Sequence, residues 1–428
     1  MRFMHIADVH LGYQQYGLKE RFDDFSKAFL DLVDQAIERE VDFVLLAGDL
    51  FEKRNVEPMA MRVAIAGLTE LREANIPVLA VEGNHERAFY REQTSWMDFL
   101  DALEYLQLLT PRFEEGRAIL DPYGAEGGAY VDLPDGVRVY GMKYYGASTT
   151  KAVQALAEAL AEQDHTDVRY TIVMMHAGLE GQIAHMGRLR HDDVARLRPH
   201  ADYVALGHIH KPYVVNDWIY NPGSPETCSM QETAWPKRGY FIVDLHPDEN
   251  PKHEAKLFAP KRRPFYRFHV EVDALTDPHA VYDAVEALIR RENATMSRDP
   301  QPVVELVLSG MLPFNRYDLD LDYVRHLIDE AWTPLTTHVR NSTTPAEFEI
   351  RIEEESSRPE LERAIVRELL ERDARYRAHA EAWTEGALEL KRLILEGRDP
   401  EAVIDHLRQL RTSLHREPGS TRSAEAEA

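Results

Sequence analysis

The sequence predicts an α/β protein of two domains followed by a charged helical tail, and three observations carry this prediction. Short apolar runs alternate with amphipathic helical stripes from the N-terminus onwards, as in βαβ units. From about residue 264 a smaller set of strands and helices follows. Beyond Pro359 the chain is rich in charged residues, and its apolar residues repeat at helical spacing.

The N-terminal βαβ pattern consists of three apolar strands with two helices between them. Residues 2–8, 41–49 and 76–84 are the predicted strands. Residues 20–39 carry apolar side chains at i, i+3, i+4 and i+7, and 58–74 begin with a proline, which suits the first turn of a helix. We therefore expect a mainly parallel sheet that helices cover on both faces. This domain is predicted to span residues 1–260, and its other elements are helices at 96–108 and 150–163 and strands at 137–145, 170–176, 202–207, 217–221 and 239–245.

The second domain is predicted as a small α+β unit over residues 264–352. Its elements are strands at 265–272 and 302–310, helices at 280–291 and 319–331, and a final strand at 348–354. A helical segment over 358–416 follows, with an apolar stripe at Leu361, Ile365, Leu369, Val403, Leu407, Leu410 and Leu414 and a helix start at Asp399-Pro400. Residues 417–428 are small and polar and are predicted to be disordered.

Composition narrows the functional classes. The chain has 428 residues and a net charge of −24, an acidic balance that repels nucleic acid unless bound divalent cations reverse the potential locally. A basic cluster at 261–267 is either a solvated linker or a nucleic-acid contact. The single cysteine, Cys228, fits a structural thiol in a reducing cytoplasm, and no apolar run is long enough to span a membrane.

Polar side chains follow five of the predicted strands where each strand ends. These side chains are Asp8, His10, Asp49, Asn84, His85, His176, His208 and His210. The carboxyl ends of parallel strands meet at one edge of a sheet, where ligands bind. Taken singly, each of these motifs is more often a turn, a helix cap or a core histidine than a functional site. Taken together, the side chains are all hard or borderline metal ligands, and no thiolate is among them.

Oxygen and nitrogen donors of this kind suit two divalent ions such as manganese, iron or zinc. About four protein ligands for each ion leave positions for water and substrate, as a catalytic centre requires. Two cations against two aspartates leave the pocket positive, so it favours a phosphate group. The sequence therefore predicts a dimetal phosphoesterase site.

The motifs D-x-H, G-D, G-N-H, H and G-H-x-H, in this order, resemble those of the calcineurin-like metallophosphoesterases. The details D-V-H-L-G, G-D-L-F, G-H-I-H-K-P and N-P-G-S-P-E are similar to those of the SbcD-type DNA double-strand-break repair nucleases. The resemblance implies a four-layer α/β/β/α sandwich with a DNA-capping domain and C-terminal helices. It also implies two manganese ions, 3′–5′ exonuclease and endonuclease activity, a homodimer, and an ABC-type ATPase partner of the SbcC kind.

The same resemblance implies a role for each candidate residue. One manganese ion would be held by Asp8, His10, Asp49 and His210, and the other by Asp49, Asn84, His176 and His208. His85 would be the acid or the transition-state stabiliser for the leaving 3′ oxygen, with His10 also in the catalytic set. Glu86 replaces the usual aspartate and would orient His85. Glu52 stands where several relatives have a histidine that places the nucleotide.

Two other functions remain open at this point. A phosphoesterase acting on nucleotides or small phosphate esters would need the same site. A scaffold for the ATPase with weak catalysis would also fit the helical tail. The added domain and the apolar-striped tail favour DNA as the substrate, and the complete set of donors favours an active enzyme.

Overall fold

A computed structural model describes residues 1–88, 94–125, 127–182, 189–345, 358–372, 376, 379–396, 404 and 408. The chain divides into two compact units. The first takes in Met1–His269, Glu286–Val307 and Asp322–Arg340, and the second Val270–Val285, Leu308–Leu321 and the described residues from Asn341 onwards. The domain bounds expected at 260, 264–352 and 358–416 stay predictions.

The described residues form seventeen strands. They are β1 Arg2–Ile6, β2 Phe43–Leu46, β3 Val78–Ala80, β4 Gln107–Leu108, β5 Arg112–Glu114, β6 Arg117–Ile119, β7 Tyr130–Leu133, β8 Val137–Met142, β9 Tyr170–His176, β10 Tyr203–Gly207, β11 Tyr213–Val215, β12 Ile219–Asn221, β13 Tyr240–Leu245, β14 His253–Phe258, β15 Phe265–Glu271, β16 Val303–Leu312 and β17 Thr336–Pro345. Two six-stranded sheets have the orders β14-β13-β1-β2-β3-β4 and β11-β12-β10-β9-β8-β7, and a third has the order β15-β16-β17.

The described α-helices lie close to the amphipathic stretches of the sequence. They are α1 Lys19–Glu38, α2 Pro58–Glu73, α3 Trp96–Ala102, α4 Thr149–Glu162, α5 His191–Ala195, α6 Pro278–Glu292, α7 Leu321–Trp332, α8 Arg358–Arg372 and α9 Ala380–Leu395. In α1 the buried residues include Phe22, Phe25, Phe29 and Leu32, the predicted apolar stripe. Among these helices none is long and apolar enough to cross a membrane.

The two large sheets pack face to face, and alternation along their strands gives each sheet two buried faces. In β1, Phe3 lies in the core between the sheets, whereas Met4 lies in the core that the first sheet forms with α1 and α2. In β10, Tyr203 lies between the sheets and Val204 packs against the core that includes α4. Three apolar cores separate four layers, so the four-layer α/β/β/α fold is confirmed.

Several elements differ from the sequence prediction. Helix α3 ends at Ala102 rather than at 108, because the chain turns through Glu104, whose φ is 58°, and Gln107–Leu108 then pair with β3. Strand β14 was missed, since its exposed and half-buried residues alternate at the sheet edge. Strand β17 was also missed, because its sequence is rich in threonine and polar residues. The strand predicted at 348–354 lies outside the described residues.

The basic cluster at 261–267 is neither a solvated linker nor a free basic surface. The Arg262 guanidinium donates to the main-chain carbonyl of Arg238 over 2.9 Å. Arg263 makes a bidentate contact with Asp24 of α1, at 2.6 and 3.0 Å. Arg267 pairs with Glu305 at 2.7 Å. These arginines bind the chain that follows β14 to the first unit.

The described part of the tail contains two helices with exposed ion pairs between them. In α8, Arg363 and Arg367 contact Glu381 of α9 at 2.7 and 3.1 Å. Ion pairs this exposed contribute little stability. Leu369 is 46% exposed and Leu395 is 76% exposed, so these helices leave apolar surface uncovered. The stripe at Val403–Leu414, the Asp399-Pro400 helix start and residues 417–428 lie outside the described residues.

Candidate metal centre

The carboxyl ends of the central strands place the predicted donors in one cluster. Strands β1, β2 and β3 run parallel and lead to Asp8 and His10, to Asp49, and to Asn84 and His85. Strands β9 and β10 of the facing sheet are also parallel and lead to His176 and to His208 and His210. The first sheet therefore supplies five residues of the cluster and the second sheet three, and neither sheet could form it alone.

Four of these residues have positive φ angles, which residues other than glycine rarely adopt. The values are 55° for Asp8, 54° for His10, 56° for Asp49 and 84° for His208. Main-chain hydrogen bonds hold these turns: the amide of Asp8 donates to Gly48 over 3.1 Å, and the amide of His10 donates to Asp49 over 3.0 Å. Backbone strain of this kind is typical of functional sites.

The first half of the cluster consists of two aspartates and two histidines. Ligand atoms of Asp8, His10 and Asp49 lie within 4.8 Å of one another. The Nε2 atoms of His10 and His210 face each other at 3.1 Å. Two imidazole nitrogens so close together need a shared proton or a cation between them. These four residues could hold one divalent ion.

The second half is built around Asn84. Its Oδ1 atom lies 2.8 Å from Nδ1 of His208 and 3.1 Å from Nε2 of His176. Asp49 connects the halves, because its Oδ2 atom is 3.2 Å from Nε2 of His176. These residues could hold a second ion, with Asp49 shared between the two positions.

Oxygen atoms lie close to Nδ1 of three histidine rings, on the side away from the cluster, and the Nε2 atom of each ring is directed at the cluster. Nδ1 of His176 is 2.7 Å from the carbonyl of Ala47, so this nitrogen donates and Nε2 is the nitrogen directed at the cluster. Nδ1 of His210 is 2.9 Å from Glu232. Nδ1 of His10 is 2.9 Å from the Glu52 carboxylate. In His176 and His210 the hydrogen bond at Nδ1 leaves Nε2 directed at the cluster, as in metal sites whose histidines are oriented from behind. The contact between His10 and Glu52 is an ion-pair distance without hydrogen-bond geometry.

Glu232 is a residue of the site that the sequence analysis missed. It is buried, and its carboxylate accepts hydrogen bonds from His210, from Ser224 over 3.0 Å and from the amide of Cys228 over 3.0 Å. Although burial alone would raise it, the hydrogen bond from His210 and the charge of Arg238 keep the pKa of Glu232 below its usual value. It follows no strand and matches no motif, so the sequence carried no signal for this role.

Glu86 stabilises the loops of the site rather than the ring of His85. Its buried carboxylate accepts from the main-chain amides of Gly83, Asp49 and Phe51 over 3.0, 3.1 and 2.9 Å. Burial and the nearby Asp49 charge raise its pKa to about 8. The orienting contact expected from Glu86 to His85 is made instead by Glu52.

His85 is held by its Nδ1 atom at the open side of the cluster. That atom is 2.6 Å from the main-chain carbonyl of Glu52 and 3.8 Å from the Glu52 carboxylate. The side chain is 36% exposed, and its amide donates to Asp49 over 3.0 Å. Since Nδ1 is the bound nitrogen, Nε2 is available to an incoming substrate. Glu52 thus contacts both His10 and His85.

The surroundings of the cluster shift the pKa values of two of its histidines in opposite directions. Although burial lowers it, the Asp49 carboxylate outweighs burial and raises the pKa of His176 to about 9. Burial, with the charge of His176, lowers the pKa of His208 to about 3, so His208 is neutral and has a lone pair. The donor set and the neutral His208 ring both fit divalent cations.

Comparisons with known proteins agree with the geometry. Residues 1–212 match the family model of the calcineurin-like phosphoesterases. The DNA double-strand break repair protein Mre11 of Aeropyrum pernix is 28% identical over 329 residues, which are 74% of this chain and 75% of the relative. The Mre11 protein of Haloferax volcanii is 31% identical over 71% of this chain, and that of Archaeoglobus fulgidus is 30% identical over 55%. The chain belongs to the Mre11/SbcD family of calcineurin-like metallophosphoesterases.

Family membership confirms that this chain is a metal-dependent phosphoesterase. The matches span 61% and 52% of the Haloferax and Archaeoglobus proteins, less than two thirds of their length. Among solved structures, a dimetal phosphatase from Danio rerio is 13% identical, covers 60% of this chain and 99% of its own, and has a TM-score of 0.38. The assignment of individual residues to each ion remains a proposal.

Proposed function

We propose that this protein is a manganese-dependent DNA nuclease that cleaves phosphodiester bonds as an exonuclease and endonuclease in double-strand-break repair. The observation that carries the proposal is the cluster of seven candidate ligands, with His85 beside them, at the facing strand ends, in a chain whose relatives are DNA double-strand break repair proteins. One ion would be held by Asp8, His10, Asp49 and His210, and the other by Asp49, Asn84, His176 and His208. Bound divalent ions supply Lewis acidity and lower the pKa of water.

The protein's own residues position the reaction and move a proton. His85 is the proton donor to the leaving 3′ oxygen through Nε2, since the Glu52 carbonyl occupies Nδ1. The Glu52 carboxylate, 3.8 Å from the same Nδ1, complements the positive charge of an imidazolium. Glu232 and Ala47 keep His210 and His176 in the orientation that presents Nε2.

A substrate comparison tests the proposal. The purified chain is incubated with end-labelled linear duplex DNA and manganese, and in parallel with p-nitrophenyl phosphate and bis-p-nitrophenyl phosphate. Cleavage of DNA supports the nuclease. Turnover of only the small esters would identify a small-substrate phosphoesterase, and no turnover of either substrate would favour the scaffold.

His85 separates proton donation from metal binding. His85→Gln should lower DNA cleavage by about 10²–10⁴-fold, because general acid catalysis contributes about that factor. Its manganese content should stay equal to that of the wild type by mass spectrometry of metals. His176→Gln is the matched comparison, since it should lose metal as well as activity. Loss of metal in His85→Gln would assign this residue to the ligands instead.

The exposed apolar residues of the tail support an ABC-type ATPase of the SbcC kind as a partner. Leu369, Ile394 and Leu395 are 46%, 58% and 76% exposed. Helices with uncovered apolar residues bind the apolar groove or helices of a partner. Truncation after about residue 355 should abolish co-purification with the ATPase and retain metal-dependent cleavage. Binding that survives the truncation would exclude this role for the tail.

A homodimer is supported by a second apolar surface, on α3 and the residue that follows it. Trp96, Phe99 and Leu103 follow at i, i+3 and i+7 and are 38%, 39% and 45% exposed. This spacing places them on one face, where a second copy of the chain could cover them. Phe99→Glu should convert a dimer to a monomer in light scattering, whereas a wild-type chain that is already monomeric would exclude the dimer.

A further inference from the structure

The only cysteine of the sequence lies beside the proposed metal centre, where the sequence analysis expected no thiolate. The ring nitrogens of His10 and His210 and the Sγ atom of Cys228 all lie within 4.8 Å of one another. The Nε2 atoms of the two histidines already face each other at 3.1 Å. Three residues thus bring one ligand atom each into the same small region, and the two histidines come from strand ends of different sheets.

Hydrogen bonds to both main-chain groups of Cys228 hold the residue in place. The amide of Cys228 donates to the buried carboxylate of Glu232 over 3.0 Å. Its carbonyl accepts from the buried Gln15 side chain over 2.9 Å, and Gln15 is in turn held by Arg21 over 3.0 Å. The same Glu232 carboxylate orients His210. One carboxylate thus places both the thiol and a histidine of the group.

Such a group has a different metal preference from the rest of the centre. Aspartate, asparagine and imidazole suit manganese, whereas a thiolate with two imidazoles selects softer ions such as zinc, cadmium or cobalt(II). We propose that His10, His210 and Cys228 form a thiolate-containing site for zinc-like cations that overlaps the first manganese position. The inference rests on the proposed function, because His10 and His210 are also ligands of the proposed first manganese ion.

The proposed binding step is a replacement of a proton by a cation. The Cys228 thiol loses its proton to solvent, and the sulfur forms a bond to the ion while two imidazole nitrogens complete the group. Zinc and cadmium then exclude manganese from the first position. The nuclease becomes sensitive to these ions through a residue that the phosphoester chemistry does not require.

Cobalt(II) is the spectroscopic probe that tests this site. Metal-free full-length protein is titrated with cobalt, and absorption is recorded in the visible and near ultraviolet. The wild type should show a thiolate-to-cobalt charge-transfer band that added zinc removes. In Cys228→Ser the visible bands of bound cobalt should remain while the charge-transfer band is absent, and zinc affinity should fall by more than roughly tenfold. Because the chain has one cysteine, the band has no other source.

A second measurement uses the wild-type chain and does not depend on the variant's folding. Zinc should slow alkylation of Cys228 by iodoacetamide by at least about tenfold, and manganese at the same occupancy should slow it less. No charge-transfer band at saturating cobalt, or equal alkylation rates with and without zinc, would overturn the proposal. A cobalt–thiolate band without DNA cleavage would reject the proposed function alone. DNA cleavage without the band would reject the thiolate site alone.

Discussion

His5 gives a quantitative test of how the two sheets are held together. Its imidazole projects from β1 and is fully buried. Nε2 is 3.0 Å from the carbonyl of Leu206 and Nδ1 is 3.0 Å from the hydroxyl of Tyr203, both in β10. Because the carbonyl can only accept, Nε2 donates, and Nδ1 accepts from the tyrosine. A neutral ring therefore joins the strands that lead to Asp8 and His208.

The size of the pH effect on the free energy of unfolding follows from the pKa of the His5 ring. Burial lowers the pKa of His5 from 6.5 to about 3. Below pH 6.5 His5 binds a proton in the unfolded chain but stays neutral in the folded chain. The contribution of His5 to the free energy of unfolding is therefore fully present above pH 6.5 and is lost as the pH falls towards 3. The free energy of unfolding should fall by about 2 kcal/mol between about pH 7.5 and pH 5 from this residue alone.

His5→Gln isolates this contribution, because an amide can donate to Leu206 and accept from Tyr203 without titrating. Urea unfolding is followed by circular dichroism at about pH 7.5 and pH 5 in excess chelator, so that the site histidines contribute equally to both proteins. The loss of stability on acidification should be about 2 kcal/mol smaller in His5→Gln than in the wild type. His326→Gln, at a histidine that is 68% exposed, should leave the loss unchanged. Equal losses in His5→Gln and the wild type would refute the reasoning.

Three further variants test the support of the metal centre. Glu232→Gln should weaken manganese binding at one position by about 10–100-fold, measured by calorimetry, since the carboxylate orients a ligand; unchanged affinity would show that the orientation is not needed. Gly48→Ala should lose metal because a Cβ atom would lie 2.3 Å from Nδ1 of His176, whereas Gly17→Ala, also at positive φ but with open space, should keep it. Glu52→Gln should lower both manganese affinity and the rate of DNA cleavage by about tenfold, and a change in cleavage alone would support the earlier expectation that this residue positions substrate.

Much of the fold followed from local patterns in the sequence. The predicted elements of the first domain have counterparts at nearly the same positions, because apolar strands and amphipathic helices each carry their own period. The misses have local causes as well. Strand β17 is polar and threonine-rich, and Gln107–Leu108 are too short to be recognised outside the sheet they join. Elements at a sheet edge depend on their neighbour more than on their own residues.

The sequence by itself determined the donors: aspartate, asparagine and histidine at the ends of apolar strands predict a cluster, because parallel strands end at a common edge. Only the tertiary structure decided which other residues contact and orient these donors. Glu232 and Ala47 accept hydrogen bonds from the rings of His210 and His176, Glu52 lies beside His10, and Cys228 approaches the same centre from a loop with no motif. The physical reason is range. Strand period and strand ends are local properties of the chain, whereas a hydrogen bond behind a ring joins residues that only folding brings together.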